Sequence, residues 1–208
     1  MIETLLEKIH WLGHDGFRID ATAVIYIDPY QIKSTVPADI ILVSHDHFDH
    51  CSPDDIIKIQ KKSTAIITEK TSAGKLKGDI RIVKPGDKFT VQGIDIEIVP
   101  AYNTNKQFHP KTAGMLGFIL TIEGVSIYHA GDADFIPEMK NIKADIALLP
   151  VSGTYVMTAD EAVEAALAIN PKFAIPMHYG AIVGTESDAK RFAEKLKGKI
   201  DVKILPQE

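Results

Sequence analysis

Ile40-Ile41-Leu42-Val43 is an unbroken aliphatic run, and it stops at Ser44. Such a run suits a strand buried on both faces, so the fold must place packed material on each side of the sheet that holds it. The residues after Ser44, His45-Asp46-His47-Phe48-Asp49-His50, crowd three imidazoles and two carboxylates into about 18 Å of extended chain. Polar groups this dense at the end of a buried strand are costly to leave without a partner, and a divalent cation answers them.

The spacing separates these residues by direction. His45 and His47 can point the same way from an extended segment, whereas Asp46 and Phe48 alternate outward. Asp49 and His50 follow in the next turn and face a second position nearby. Cys51 is the only cysteine, which excludes an intrachain disulfide, and it is read as a small buried thiol beside a helix start.

Short β-like runs closed by Gly, Pro or Asp are predicted at residues 9–12, 17–19, 23–27, 40–43, 65–68, 80–83, 88–91 and 94–99. Others follow at 116–122, 125–129, 146–149 and 173–176. Ser52, Pro53 and Asp55 predict a short helix to about Gln60, and a further helical turn is expected over 71–76. Thr158 and Glu161 form a capping-box pattern, followed by Ala159, Ala162, Val163, Ala166 and Leu167 as one helix face ending before Asn170-Pro171. A last helix uses Ala189, Phe192, Ala193 and Leu196 as its stripe and ends near Gly198. This rhythm predicts an α+β chain with one domain over residues 1–208, two mixed β-sheets inside and helices outside.

Composition narrows the function classes. Lys and Arg number 23 against 28 Asp and Glu, a net charge of -5 that opposes a duplex nucleic-acid partner. No apolar run approaches the ~20 residues of a membrane helix. The segment Met1 to Lys8 lacks a basic region followed by an apolar core, so no signal peptide is expected and the cytoplasm is the expected location.

His45-x-His47-x-Asp49-His50 is an HxHxDH motif, and in this respect the chain resembles the metallo-β-lactamase superfamily of metal-dependent hydrolases. Two further segments extend the resemblance. The 125–129 run leads into Ala130-Gly131-Asp132, similar to the superfamily's Gly-Asp signature, and the 173–176 run leads into Met177-His178-Tyr179-Gly180, similar to its final His ligand. Trp11-Leu12-Gly13-His14 and Ile27-Asp28-Pro29 resemble a branch of short metal-dependent hydrolases related to L-ascorbate-6-phosphate lactonase.

The resemblance implies a four-layer αβ/βα sandwich with two divalent metal ions, zinc first, with manganese or iron as alternatives. It implies His45 and His47 as ligands of the first metal, Asp49, His50 and His178 of the second, and Asp132 between them. A metal-bridging hydroxide oriented by Asp49 would then cleave an ester, lactone or phosphodiester-type bond in a small substrate that can be anionic. His14 would line the cleft in a catalytic role, and Asp28 would fix a ligand histidine.

Several positions keep two readings. Where the superfamily usually supplies a third histidine for the first metal, the chain reads Ala101-Tyr102-Asn103, with His109 further along the loop. His109 is read either as that ligand or as a substrate contact or solvated residue. Asn103 could leave the first position incomplete, which would suit a non-catalytic metal-binding or regulatory protein. Asn103, Lys106 and Tyr155 are candidate substrate residues; Lys106, His109 and Lys111 could receive a phosphate or carboxylate, or belong to a solvated loop. His129 is read as a buried strand histidine or a partner of a ligand. Asp134 is read as a support for the Asp132 loop or a helix start, and His10 receives no role. The expected partner is a small molecule, with no nucleic acid or membrane, and a homo-oligomer is allowed.

Overall fold

Strand alternation fixes the layers. The computed structural model describes residues 1–208, beginning with helix α1 (Ile2–Leu6) and the strands β1 (Ile9–Gly13), β2 (Gly16–Asp20), β3 (Val24–Ile27) and β4 (Ala38–Val43). In β4, Ile40 and Leu42 join the large core between the sheets, whereas Ile41 and Val43 join a second cluster with Ile56 and Ile59. The aliphatic run is therefore buried on both faces, as its composition requires. Ile56 and Ile59 belong to α2 (Pro53–Ile59), which starts at Ser52 and covers the outer face of this sheet. With β5 (Gln60–Thr68), α3 (Lys70–Ala73) and β6 (Asp79–Ile82) the first sheet is complete, in the order β1-β2-β3-β4-β5-β6.

The second sheet begins with β7 (Lys88–Val91), β8 (Ile94–Pro100), β9 (Leu116–Ile122) and β10 (Val125–His129), joined as antiparallel neighbours. It continues in parallel through β11 (Ile146–Pro150), β12 (Phe173–Met177) and the short β13 (Asp201–Val202). The parallel connections need crossovers, and the helices α4 (Ala159–Ile169) and α5 (Glu186–Leu196) supply two of them. Both pack on the outside of this sheet, which gives the layer order helix, sheet, sheet, helix. This is the α+β sandwich with two mixed sheets expected from the sequence.

Three local differences stand out. Leu167 was expected on the buried face of α4 but is 43% exposed, while Ala165 is buried in its place. In an alanine-rich helix a rotation of one residue changes little buried volume, so the stripe is ambiguous. The strand β5 starts at Gln60, directly after α2, so the chain leaves the helix without a loop. The short helix α1 and the 3-10 turn Pro137–Asn141 carry too few residues to show a period.

At one edge of the sandwich the sheets are tied by backbone hydrogen bonds. Leu116 N donates to Ser44 O at 3.0 Å, and His178 N donates to His14 O at 3.0 Å. The ends of β4, β8, β10 and β12 and the β1–β2 turn meet there.

Candidate metal centre

The centre is built from the ends of buried strands, whose rigidity fixes the side chains that follow them. After β4, Ser44 Oγ lies 3.0 Å from His45 Nδ1, and His45 Nε2 lies 3.0 Å from His47 Nδ1. His109 Nε2 approaches the same His47 nitrogen at 3.3 Å from the loop after β8. Three ring nitrogens thus converge on one point. Asn103 sets the His109 ring, because its Oδ1 accepts from His109 N at 3.1 Å and from Nδ1 at 3.1 Å. Tyr155 O is a second acceptor for that Nδ1 at 3.2 Å, so the proton resides on Nδ1 and Nε2 keeps its lone pair.

A second group forms beside it. His50 Nδ1 donates to Asp28 Oδ2 at 2.8 Å, and Asp28 also accepts from Ser44 N at 2.7 Å and Ser44 Oγ at 2.5 Å. His178 Nδ1 faces Ser152 Oγ at 2.8 Å. Each contact directs Nε2 of the histidine into the centre. Asp132 lies between the two groups: Oδ1 is 3.4 Å from His50 Nε2, and Oδ2 is 3.4 Å from His178 Nε2 and 3.3 Å from His109 Nε2. His14 Nε2 meets Asp49 Oδ2 at 3.0 Å. His14, Asp28 and His178 hold left-handed backbone, with φ of 52°, 43° and 59°, a conformation uncommon outside glycine and typical of constrained sites.

The unpaired atoms show what the donor set fits. Seven buried side-chain atoms have no hydrogen-bond partner, and all but the Tyr128 hydroxyl belong here: His14 Nδ1, both Asp15 oxygens, His50 Nε2, Asp132 Oδ1 and His178 Nε2. Buried polar atoms are otherwise almost always satisfied, so this concentration marks a place shaped for cations. Ring nitrogens of His45, His47 and His109 could hold one ion, and His50 and His178, with either His14 or the pair Asp15 and Asp132, another. Burial holds the His45 imidazole well below its ordinary range and so neutral, the form that binds metal. Burial works against the Asp132 carboxylate, but the charges of His50 and His178 outweigh it and keep the group well below the usual carboxylate range.

A model described as the beta-lactamase superfamily domain matches residues 8–178. The chain belongs to the metallo-β-lactamase superfamily. It is similar to a UPF0173 metal-dependent hydrolase of Thermoplasma acidophilum, 33% identical over 95% of this chain and 94% of the relative. One from Archaeoglobus fulgidus is 32% identical over 95% of this chain and 94% of its own length. A crystal structure from Parabacteroides distasonis, assigned as a metal-dependent hydrolase, superposes with a TM-score of 0.86 at 37% identity, covering 96% of this chain and 93% of that one. Igni18, a metallo hydrolase from Ignicoccus hospitalis, shares the superfamily fold with a TM-score of 0.79 at 22% identity, covering 96% and 94% of the two chains.

Within this superfamily site, the structure brings together His14, His45, His47, Asp49, His50, His109, Asp132 and His178. It turns two other candidates away from the cleft. Asn103 is spent on the His109 ring, and its Nδ2 donates to Tyr155 O at 2.9 Å and Asp134 Oδ1 at 3.2 Å. Lys106 Nζ is held by Asp134 Oδ1 at 2.5 Å. Asp134 therefore anchors the 103–106 segment, also accepting from Thr104 N at 2.7 Å. Tyr155 does line the cleft, a space of about 470 Å³ bordered by His47, Asp49, Asp132, Phe48, Phe108 and Ile182 among others. His129 Nε2 donates to Asp15 O at 3.0 Å and takes no place among the converging nitrogens. Sequence reasoning passed over Asp15, Ser152 and the roles of Ser44. The stretch Gly13-His14-Asp15-Gly16 carried the only available signal, an acidic residue directly after a candidate site histidine.

No helix of the structure is long and apolar enough to cross a membrane.

Proposed function

We propose that the chain is a dinuclear hydrolase acting on small uncharged esters or lactones that carry an apolar substituent. The observation that carries this reading is the pairing of every nearby cation beside an apolar lip. Lys75 is bound to Asp46 Oδ2 at 2.8 Å, Lys106 to Asp134 at 2.5 Å and Lys111 to Glu138 at 2.7 Å. Each already faces a carboxylate, which weakens its pull on a phosphate or carboxylate of a substrate. Phe48 and Phe108 are instead 65% and 53% exposed at the mouth, with Tyr155 edge-on to Phe108 at 4.6 Å between ring centroids. The cleft volume of about 470 Å³ suits a small molecule.

His45, His47 and His109 would hold one ion, and His50, His178 and Asp49 the other, with Asp132 shared. Bound divalent cations would supply Lewis acidity and an ionised water near neutral pH. Asp49, with one carboxylate oxygen left unengaged by His14, would orient the attacking water and accept the proton that the water gives up. Phe48, Phe108 and Ile182 cover the apolar part of the substrate and exclude solvent from the reacting carbonyl.

Protein loaded with zinc or manganese should be assayed against 4-nitrophenyl butyrate, a medium-chain lactone and bis(4-nitrophenyl) phosphate. Turnover of the ester or lactone is expected, with Phe108→Ala raising KM roughly 10-fold through lost apolar contact. A preference for the phosphodiester, or no hydrolysis of any of the three, would overturn the proposal.

A further inference from the structure

Asp15 sits in the β1–β2 turn between His14 and Gly16, with no exposed surface. Neither of its carboxylate oxygens has a hydrogen-bond partner. Its one ionic neighbour is His50, whose Nδ1 stands 4.0 Å from Asp15 Oδ2 and already donates to Asp28, so the buried carboxyl is poorly compensated. The turn cannot easily carry it elsewhere, because the Asp15 carbonyl is fixed by His129 Nε2 at 3.0 Å and the adjacent His14 carbonyl accepts from both His178 N and Trp11 Nε1. One Asp15 oxygen lies within 4.8 Å of ligand atoms from His50, Asp132 and His178, which are likewise within that distance of one another.

We propose that Asp15 is an additional carboxylate ligand of the second cation position, and that it shifts this position toward an oxygen-preferring, six-coordinate ion such as Mn²⁺. The assignment rests on the reading of this centre as a metal site. The donor chemistry separates the two positions. Three imidazoles and the shared Asp132 surround the first, a set that suits Zn²⁺. Asp15, Asp132 and Asp49 bring carboxylate oxygens to the second beside two imidazoles, and carboxylate-rich shells favour Mn²⁺ relative to nitrogen-rich ones.

The same burial predicts opposite effects in the two states of the protein. Without metal, Asp15 is a buried acid with no hydrogen bond and only a 4.0 Å contact to His50, so an isosteric amide should leave the fold equally or more stable. With metal, the amide removes a ligand. Metal-stripped wild-type protein and Asp15→Asn should be titrated with Mn²⁺ and separately with Zn²⁺ by calorimetry, and their metal-free melting temperatures compared. The variant is expected to bind Mn²⁺ at the second position about 10- to 100-fold more weakly, with a smaller loss for Zn²⁺ and an unchanged or higher metal-free melting temperature. Unchanged Mn²⁺ affinity in the variant would overturn the assignment alone. So would a lowered metal-free melting temperature, which marks a structural role. A wild-type protein that binds neither ion would overturn the assignment together with the metal-site reading.

Discussion

His14 Nε2 lies 3.0 Å from Asp49 Oδ2, joining the β1–β2 turn to the HxHxDH loop across the edge of the first sheet. Burial raises the Asp49 carboxyl, but the His14 hydrogen bond and the His50 charge outweigh it and hold the group below its ordinary range. His14 is itself pulled down by burial, against the effect of Asp49. The pair thus keeps an ionised carboxylate facing the cleft, oriented by an imidazole that is fixed at its backbone by Trp11 and His178.

Asp49→Asn should reduce kcat by about 10²- to 10⁴-fold, the range for losing a proton acceptor, and His14→Gln by about 10- to 100-fold. If His14 acts through Asp49, the second substitution adds little once the first is made. Steady-state kinetics of the two single variants and the double variant measure this. Fully additive losses would contradict the coupling.

Asn103 gives a separate expectation for the first cation position. Asn103→Ala removes the acceptor that fixes the His109 ring, so cation affinity there should fall about 10- to 100-fold while the fold persists. Calorimetric titration with Zn²⁺ should show the binding event assigned to His45, His47 and His109 weakened. Undiminished affinity would mean that Tyr155 O alone holds the ring.

How far the centre could be read in advance follows from chain geometry. His45, His47 and His50 follow the Ile40–Val43 run through Ser44, Asp132 stands just past β10 and His178 directly after β12, and the end of a buried strand places nearby side chains predictably. His109 stands in a long loop, where nothing in the sequence fixes direction; Asn103 in the same loop and Tyr155, 46 positions away, decide it. Asp15 was illegible for a related reason. Its burial depends on His129 of β10 closing over the β1–β2 turn, a contact between residues 114 positions apart. The two sheets, by contrast, were legible because period-two and continuous apolar runs are local properties, whereas the face of α4 was blurred by its alanines.

Cys51 offers a chemical check on the packing beneath the loop. Burial pushes its thiol up to about 11, against a smaller opposing effect of Ser72. At pH 8 only about one thiol in a thousand is then ionised, so native protein should react with a disulfide reagent more than about 100-fold more slowly than an exposed thiol. Full reactivity should return in denaturant. Rapid labelling of the folded protein at pH 8 would show that α2 does not cover the residue.

Gly131 positions Asp132 through its own lack of a side chain. Its φ is 58°, and a Cβ there would stand 2.5 Å from the Leu116 carbonyl oxygen, which is backbone and cannot swing away. Gly131→Ala must therefore displace either β9 or the segment carrying Asp132, at a cost of about 1–3 kcal/mol, which lowers Tm by roughly 3–10 °C in a chain of this size. Gly124 separates the steric part from the conformational part. It too has a left-handed φ, 78°, but nothing lies within 4 Å of its Cβ position, so Gly124→Ala carries only the intrinsic strain of about 1–2 kcal/mol. Both variants should lose stability, and only Gly131→Ala should also lose bound metal, because only there does the strain move the carboxylate that lies between His50 and His109. Metal content measured on folded material decides it: equal metal in the two variants would show that Asp132 keeps its place without the glycine.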